Sequence, residues 1–244
     1  MIVSSEAEVE RPRQRVPPAV VALFAPDTGM DLQARIGRAR FAFLAAMVCA
    51  LLAAFAQAYR VDTRTATLKN LEKAGQLDNM SDRQVEDETT KSNRLYEVGR
   101  VALGAGEAPV FLGLGSLAVL GLVWFTRGKV KGRAVVPVAA AVLLPGALAN
   151  VLDAISAWQH AALPPKDAML APRTISAIAA VFGHPLAGPW LKVGNVFDFF
   201  SLWAAILMGY GVAAAGDVPV RRALWTTLVA WLCWRLITTV PFGG

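Results

Sequence analysis

Groups able to do chemistry are scarce in this chain: of 244 residues, 2 are His and 2 are Cys. His160 and His184 have no serine-carboxylate companions arranged for nucleophilic catalysis, and no HExxH, P-loop or GxSxG motif occurs. Cys49 and Cys233 each lie inside an apolar block without metal or redox spacing, and read as small buried hydrophobes. Neither enzymatic activity nor a metal or other cofactor is expected. Charge is scarce too. Only 17% of the residues are Asp, Glu, Lys or Arg, against about 25% in soluble domains. The net charge is +6, but Lys and Arg sit in short clusters beside apolar blocks, a pattern that argues against a nucleic-acid-binding face. The first long apolar block begins only at Phe41, so no signal peptide is expected.

Apolar residues make up 55% of the chain, and they come in long blocks. A block of about 20 is what a helix needs to cross some 30 Å of hydrocarbon. The fold class this predicts is an all-α integral membrane protein with five transmembrane helices, at about 41–59, 109–125, 134–158, 196–215 and 223–240. In the first block Ala46, Ala50, Ala54 and Ala58 recur every four residues; such spacing lets helices approach closely in lipid, although alanine-rich composition alone would also produce it. Gly209 with Ala213, and Gly211 with Ala215, offer similar faces in the fourth. Pro145-Gly146 predicts a kink in the third.

Orientation follows from the basic clusters. Arg127, Lys129, Lys131 and Arg133 fall within seven residues that hold no acid, and Arg221 and Arg222 precede the last block. Short loops rich in Lys and Arg stay in the cytoplasm, which puts the N-terminus inside and the C-terminus outside. Trp124 and Trp225 then mark the inner interface, and Trp158 and Trp190 the outer one.

Outside the spans, residues 1–18 read as a disordered tail. Residues 19–40 read as an interfacial amphipathic segment, with Met30, Leu32 and Ile36 near one face and Arg35, Arg38 and Arg40 reaching for headgroups, or else as a plain linker. The external segment 60–106 predicts two helices, about 63–74, stopped at Gly75, and about 81–103. Ser81 with Gln84 forms a capping box at the start of the second, which continues through Val85 and Leu95 toward the second span. These residues mark a candidate docking loop. The external segment 159–194 contains a run, Ile175 to Phe182, too short to span, which lies on the surface or dips into the membrane.

Ionisable groups within the membrane are costly and therefore candidates for function. Asp153, Asp198 and Arg235 are three of these, and Asn150, with Asn195, extends them into a candidate intramembrane polar network. Pairing a carboxylate with Arg235 would relieve the cost of burying both. The network reads either as a polar cavity or ion path, or as a structural staple between helices. Asn150 alternatively covers carbonyls freed by Pro145.

The Pro-interrupted start VVALFAP, the element GQLDNMSDRQVED at 75–87, and the ending NVFDFFSLWAAILMGYGVAAAGDVPVRRALWTTLVAWL at 195–232 together resemble the bacterial Yip-domain family, over roughly residues 20–240. That resemblance implies a non-catalytic accessory or scaffold subunit whose partner is another membrane complex, such as a macrolide-exporter-type ABC transporter with its periplasmic adaptor. The eukaryotic relatives bind Rab GTPases, but the alanine- and arginine-rich composition points to a bacterial inner membrane. The rival reading is a stand-alone small-solute or ion transporter using Asp153, Asp198 and Arg235.

Overall fold

The computed structural model describes residues 16–36, 38–159 and 172–239. Among these the regular structure is all helical, joined by turns and loops, apart from one isolated antiparallel bridge between Thr174 and Asp198. The expected tail lies mostly outside the described residues, as do His160 and the start of the second external segment.

A short hairpin opens the fold. Helix α1 (Pro18–Phe24) and helix α2 (Pro26–Ile36) are each entered on a proline, which has no N–H to leave unpaired there. They cross with Gly29 directly against the backbone of Ala22, where a Cβ would collide. The face α2 buries is Gly29, Met30 and Gln33, while Ile36 is exposed, so Leu32 and Ile36 do not set the buried stripe. Nor does the hairpin lie free on a surface: Ala22 and Met30 are fully buried with Ala140, Leu144 and Leu207 from the later helices. The Gln33 amide donates to the carbonyls of Arg38 at 2.8 Å and Pro137 at 3.2 Å, which pins the hairpin to the bundle.

Helix α3 (Arg40–Arg60) buries the alanine row, Ala46, Ala50, Ala54 and Ala58, and turns Leu44, Val48, Leu52 and Phe55 outward. Helix α4 (Thr63–Lys73) starts on Asp62, whose carboxylate accepts from the N–H groups of Arg64 and Thr65, and stops before Gly75 at φ +64. After a 3-10 turn at Leu77–Asn79 comes helix α5 (Asp82–Phe125), 44 residues without a break, in which Pro109 is accommodated. Gly104 of α5 seats against Ala54 of α3, so the two backbones come close at the alanine row.

Helices α6 (Gly132–Val142) and α7 (Leu144–Gln159) are one span interrupted at Leu143. Pro145 explains the break: it has no N–H for the carbonyl of Ala141, and its ring crowds that carbonyl. Helix α8 (Ile175–Val181) and helix α9 (Pro189–Val196) are short. Helix α10 (Phe199–Gly216) and helix α11 (Val220–Thr239) run antiparallel, with Gly209 against Leu224. The expected fourth span began at Val196; that residue belongs to α9, and Asp198 caps a new helix at Phe199. On its other side α10 presents Gly211 to Val138 of α6, so the small-residue faces of α10 are packing faces.

Among the described residues four helices are long and apolar enough to cross a membrane: α3, α5, α6–α7 taken together, and α10. This is the make-up of a multi-pass membrane protein. Helix α11 has the length but is less apolar, carrying Arg221, Arg222 and Arg235.

The loop between α5 and α6 closes one end of the bundle. Its Lys129 and Lys131 N–H groups donate to the carbonyls of Gly216 and Ala215, each at 2.8 Å, satisfying the last carbonyls of α10. A Cβ on Gly128 would meet the Gly216 carbonyl oxygen at 2.6 Å, so only glycine permits this approach. The loop thereby gathers Arg127, Lys129, Lys131 and Arg133 beside the turn that leads to Arg221 and Arg222. We call this the basic end.

Candidate functional site

The polar side chains within the apolar helices lie mostly away from the basic end, and they sort into pairs. Asp153 falls on the face of α7 that also buries Ala149 and Ala157, and its side chain is 6% exposed. Its ion-pair partner is Arg173, from the segment leading into α8, at 20% exposure. Arg173 also contributes its carbonyl to the N–H of Phe199 at 3.0 Å, so one residue ties the middle of α7 to the start of α10. Asn150, one turn earlier on α7, donates from Nδ2 to Oε1 of Glu107 on α5 at 2.9 Å. It thus holds a carboxylate, and not the carbonyls freed by Pro145. On α3, the buried Gln57 amide oxygen accepts from Arg100 of α5, and Arg60 lies over the Trp158 ring at 4.9 Å.

Asp198 and Arg235 do not pair with each other or join Asp153. Asp198 is the N-cap of α10, accepting from the Ser201 N–H at 2.7 Å. Arg235 donates from Nε to the Val196 carbonyl at 2.8 Å and from a terminal nitrogen to the Asn195 carbonyl at 2.7 Å. These are the last carbonyls of α9, where unpaired acceptors and the negative end of the helix dipole favour a cation. Asn195 turns its side-chain oxygen the other way, to Ser176 and Thr174. The expected four-residue network is therefore divided among separate contacts: those of Asn150, Asp153 and Arg235 each join two elements of the fold, and that of Asp198 caps α10. Glu107, Gln57, Arg100 and Arg173 are partners the sequence reading passed over. Glu107 carried a signal, a lone acid beside Pro109 in an apolar stretch; the others show nothing until the helices are assembled.

The candidate docking loop is an ordered helical hairpin. Ser81 donates from its backbone N–H to the Gln84 side-chain oxygen at 2.8 Å, closing the expected box. Thr63 and Thr67 of α4 bond to Asn93 and Ser92 of α5, each at 2.8 Å, so polar contacts and not an apolar core join the two helices. Val85 is half-buried and Leu95 is 67% exposed.

Among the described residues no three His, Cys, Asp or Glu side chains gather closely enough to hold a metal ion. Cys49 is half-buried and Cys233 exposed, both free. No family model, curated protein or solved structure matches the chain.

Proposed function

We propose that the protein is a non-catalytic accessory subunit of a bacterial cytoplasmic membrane that binds another membrane complex through the α4–α5 hairpin. The observation that carries this reading is the continuity of α5. At 1.5 Å per residue its 44 residues extend about 66 Å, roughly twice the 30 Å of hydrocarbon a span must cross. The first half therefore projects beyond the apolar layer as a rigid arm. Leu95 and Val98, three apart on that arm, are 67% and 69% exposed. An exposed apolar stripe on a helix suits a partner's groove.

Five crossings, with the N-terminus inside, fit the same frame. Helix α11 follows α10 from Leu224 at Gly209, past Trp231 at Ser201, to Arg235 beyond the start of α10. The basic end would be cytoplasmic and the hairpin extracytoplasmic. The Yip-domain resemblance makes a macrolide-exporter-type ABC transporter with its adaptor the partner to look for. A solute path through Asp153, Asp198 and Arg235 is the weaker reading, because the three side chains make separate structural contacts: Asp153 pairs with Arg173, Asp198 caps α10 and Arg235 holds the end of α9.

The test is purification in mild detergent followed by mass spectrometry of co-purifying proteins. Wild type should carry a stoichiometric membrane partner. A variant with residues 64–98 replaced by a Gly-Ser linker should insert normally and lose it. If that variant keeps every partner, the hairpin is not the docking element.

A further inference from the structure

An open groove of about 690 Å³ runs between α5 and α11 toward the basic end. Its volume lies within the roughly 300–1,000 Å³ of small-molecule sites. Ala118, Gly121, Leu122 and Phe125 form its α5 wall, and Trp225, Thr226, Val229 and Ala230 form its α11 wall. The α5 positions follow i, i+3, i+4 and i+7 and make one continuous stripe. At Gly121 nothing lies within 4 Å of where a Cβ would be, so the missing side chain leaves open space facing the groove.

Charge decides what fits. Arg221 and Arg222 stand one helical turn before Trp225 and Thr226, on the rows that line the groove. Arg127 lies two residues beyond Phe125. All three are exposed, and none forms an ion pair among the described residues; the nearby Asp217 is engaged by Lys131 at 3.5 Å. The groove thus combines an apolar slot with uncompensated cations at its mouth. A second protein helix would fill the slot but leave the cations unmatched.

We propose that the groove binds an anionic phospholipid, one acyl chain lying along Gly121 and Val229 and the phosphate taken by Arg221, Arg222 and Arg127. Guanidinium groups hold phosphate through paired, charge-assisted hydrogen bonds. The site rests on the chain lying in a bilayer but not on any protein partner, so failure to find a partner leaves it standing.

The experiment is native mass spectrometry of the protein released from nanodiscs containing equal phosphatidylglycerol and phosphatidylcholine. Wild type should retain phosphatidylglycerol preferentially. Arg221→Gln with Arg222→Gln should reduce that preference by about fivefold per arginine, the equivalent of about 1 kcal/mol each. A Cβ at Gly121 has open space around it and a leucine there would extend into the groove, so Gly121→Leu should fold while retaining less of either lipid. Equal retention of both lipids by wild type overturns the proposal. So does a preference unchanged in the double arginine variant, or a dimer that Gly121→Leu dissolves, which would make the groove an interface between copies of this chain. A thermal melt of each variant separates lost binding from lost folding.

Discussion

Arg235 meets the carbonyl of Val196 at 2.8 Å, and its charge is answered by the end of a helix and not by a carboxylate. Helix α9 is only eight residues long, and without the guanidinium its last two carbonyls would lack this donor.

Arg235→Leu should therefore destabilise the fold by roughly 1.5–3 kcal/mol, the range for a hydrogen bond to a charged group. Because no carboxylate is stranded, adding Asp198→Asn should not restore stability. Thermal melts of single and double variants in detergent check this. Rescue by the second substitution would show that the two charges are coupled after all.

Asp153 with Arg173 is the opposite case, a true ion pair with both side chains mostly buried. Removing the Asp153 carboxylate leaves the mostly buried Arg173 guanidinium without its ion pair, which costs about 3–5 kcal/mol. Asp153→Leu should be severe, and Asp153→Leu with Arg173→Met should recover part of the loss. A double variant no better than the single would mean that the pair is not the reason for the penalty.

These two cases show where sequence reading stops. Local signals are legible: Asp62 and Ser81 as caps, Gly75 as a stop, Pro145 as a break, and the alanine row of α3 all have their physical cause within a few residues. Partner choice is not. Asp153 was as compatible with Arg235 as with Arg173 until the bridge between Thr174 and Asp198 brought Arg173 alongside α7. The α1–α2 hairpin is legible only in part for a related reason. Its buried face carries Met30, which the apolar pattern marks, and Gly29 and Gln33, which it does not.

Glycine positions divide by what surrounds them. Gly128→Ala would drive a methyl group into the Gly216 carbonyl oxygen and the Val218 side chain. Overpacking of this kind costs about 1–3 kcal/mol, and it should loosen the α5–α6 loop from α10. Gly121→Ala, in open space within a helix, should be neutral or stabilise by up to about 1 kcal/mol. Similar melting temperatures for the two variants would contradict the close approach at Gly128.

Asp62 links the hairpin to pH. The Thr65 hydroxyl and then its backbone N–H donate to this carboxylate and hold its pKa below the ordinary 3.8. A carboxyl with a lowered folded pKa stabilises fully above its unfolded value, and that contribution disappears as pH falls through the folded one. The cap should thus act throughout the neutral range and fail only in acid below 3.8. Asp62→Ala should cost about 1 kcal/mol at neutral pH, as for other N-caps, and should remove the acid sensitivity of α4. Hydrogen exchange across Thr63–Lys73 is the measurement. Equal exchange in wild type and variant at neutral pH would show that the cap does not hold the helix.

Topology is the prediction on which the docking proposal depends. Arg127, Lys129, Lys131 and Arg133 meet Arg221 and Arg222 at one end of the bundle, because the Lys129 and Lys131 N–H groups bind the carbonyls that end α10. Both basic loops must therefore share one side of the membrane, and the preference of such loops for the cytoplasm makes that side the inner one. Helix α11 leaves this end and reaches Asn195 through Arg235 at the other, so the chain should finish outside. A reporter active only outside the cytoplasm should be silent when fused after Lys131 and active when fused after Gly244. Inserted at Met80, between α4 and α5, it should also be active, since that turn lies at the far end of the arm. If the Met80 insertion is silent and the Lys131 fusion active, the arm is cytoplasmic and a periplasmic adaptor is ruled out as its partner. If the Lys131 and Gly244 fusions agree with each other, α11 does not cross, and Arg235 would hold α9 and α11 together on a single face of the membrane.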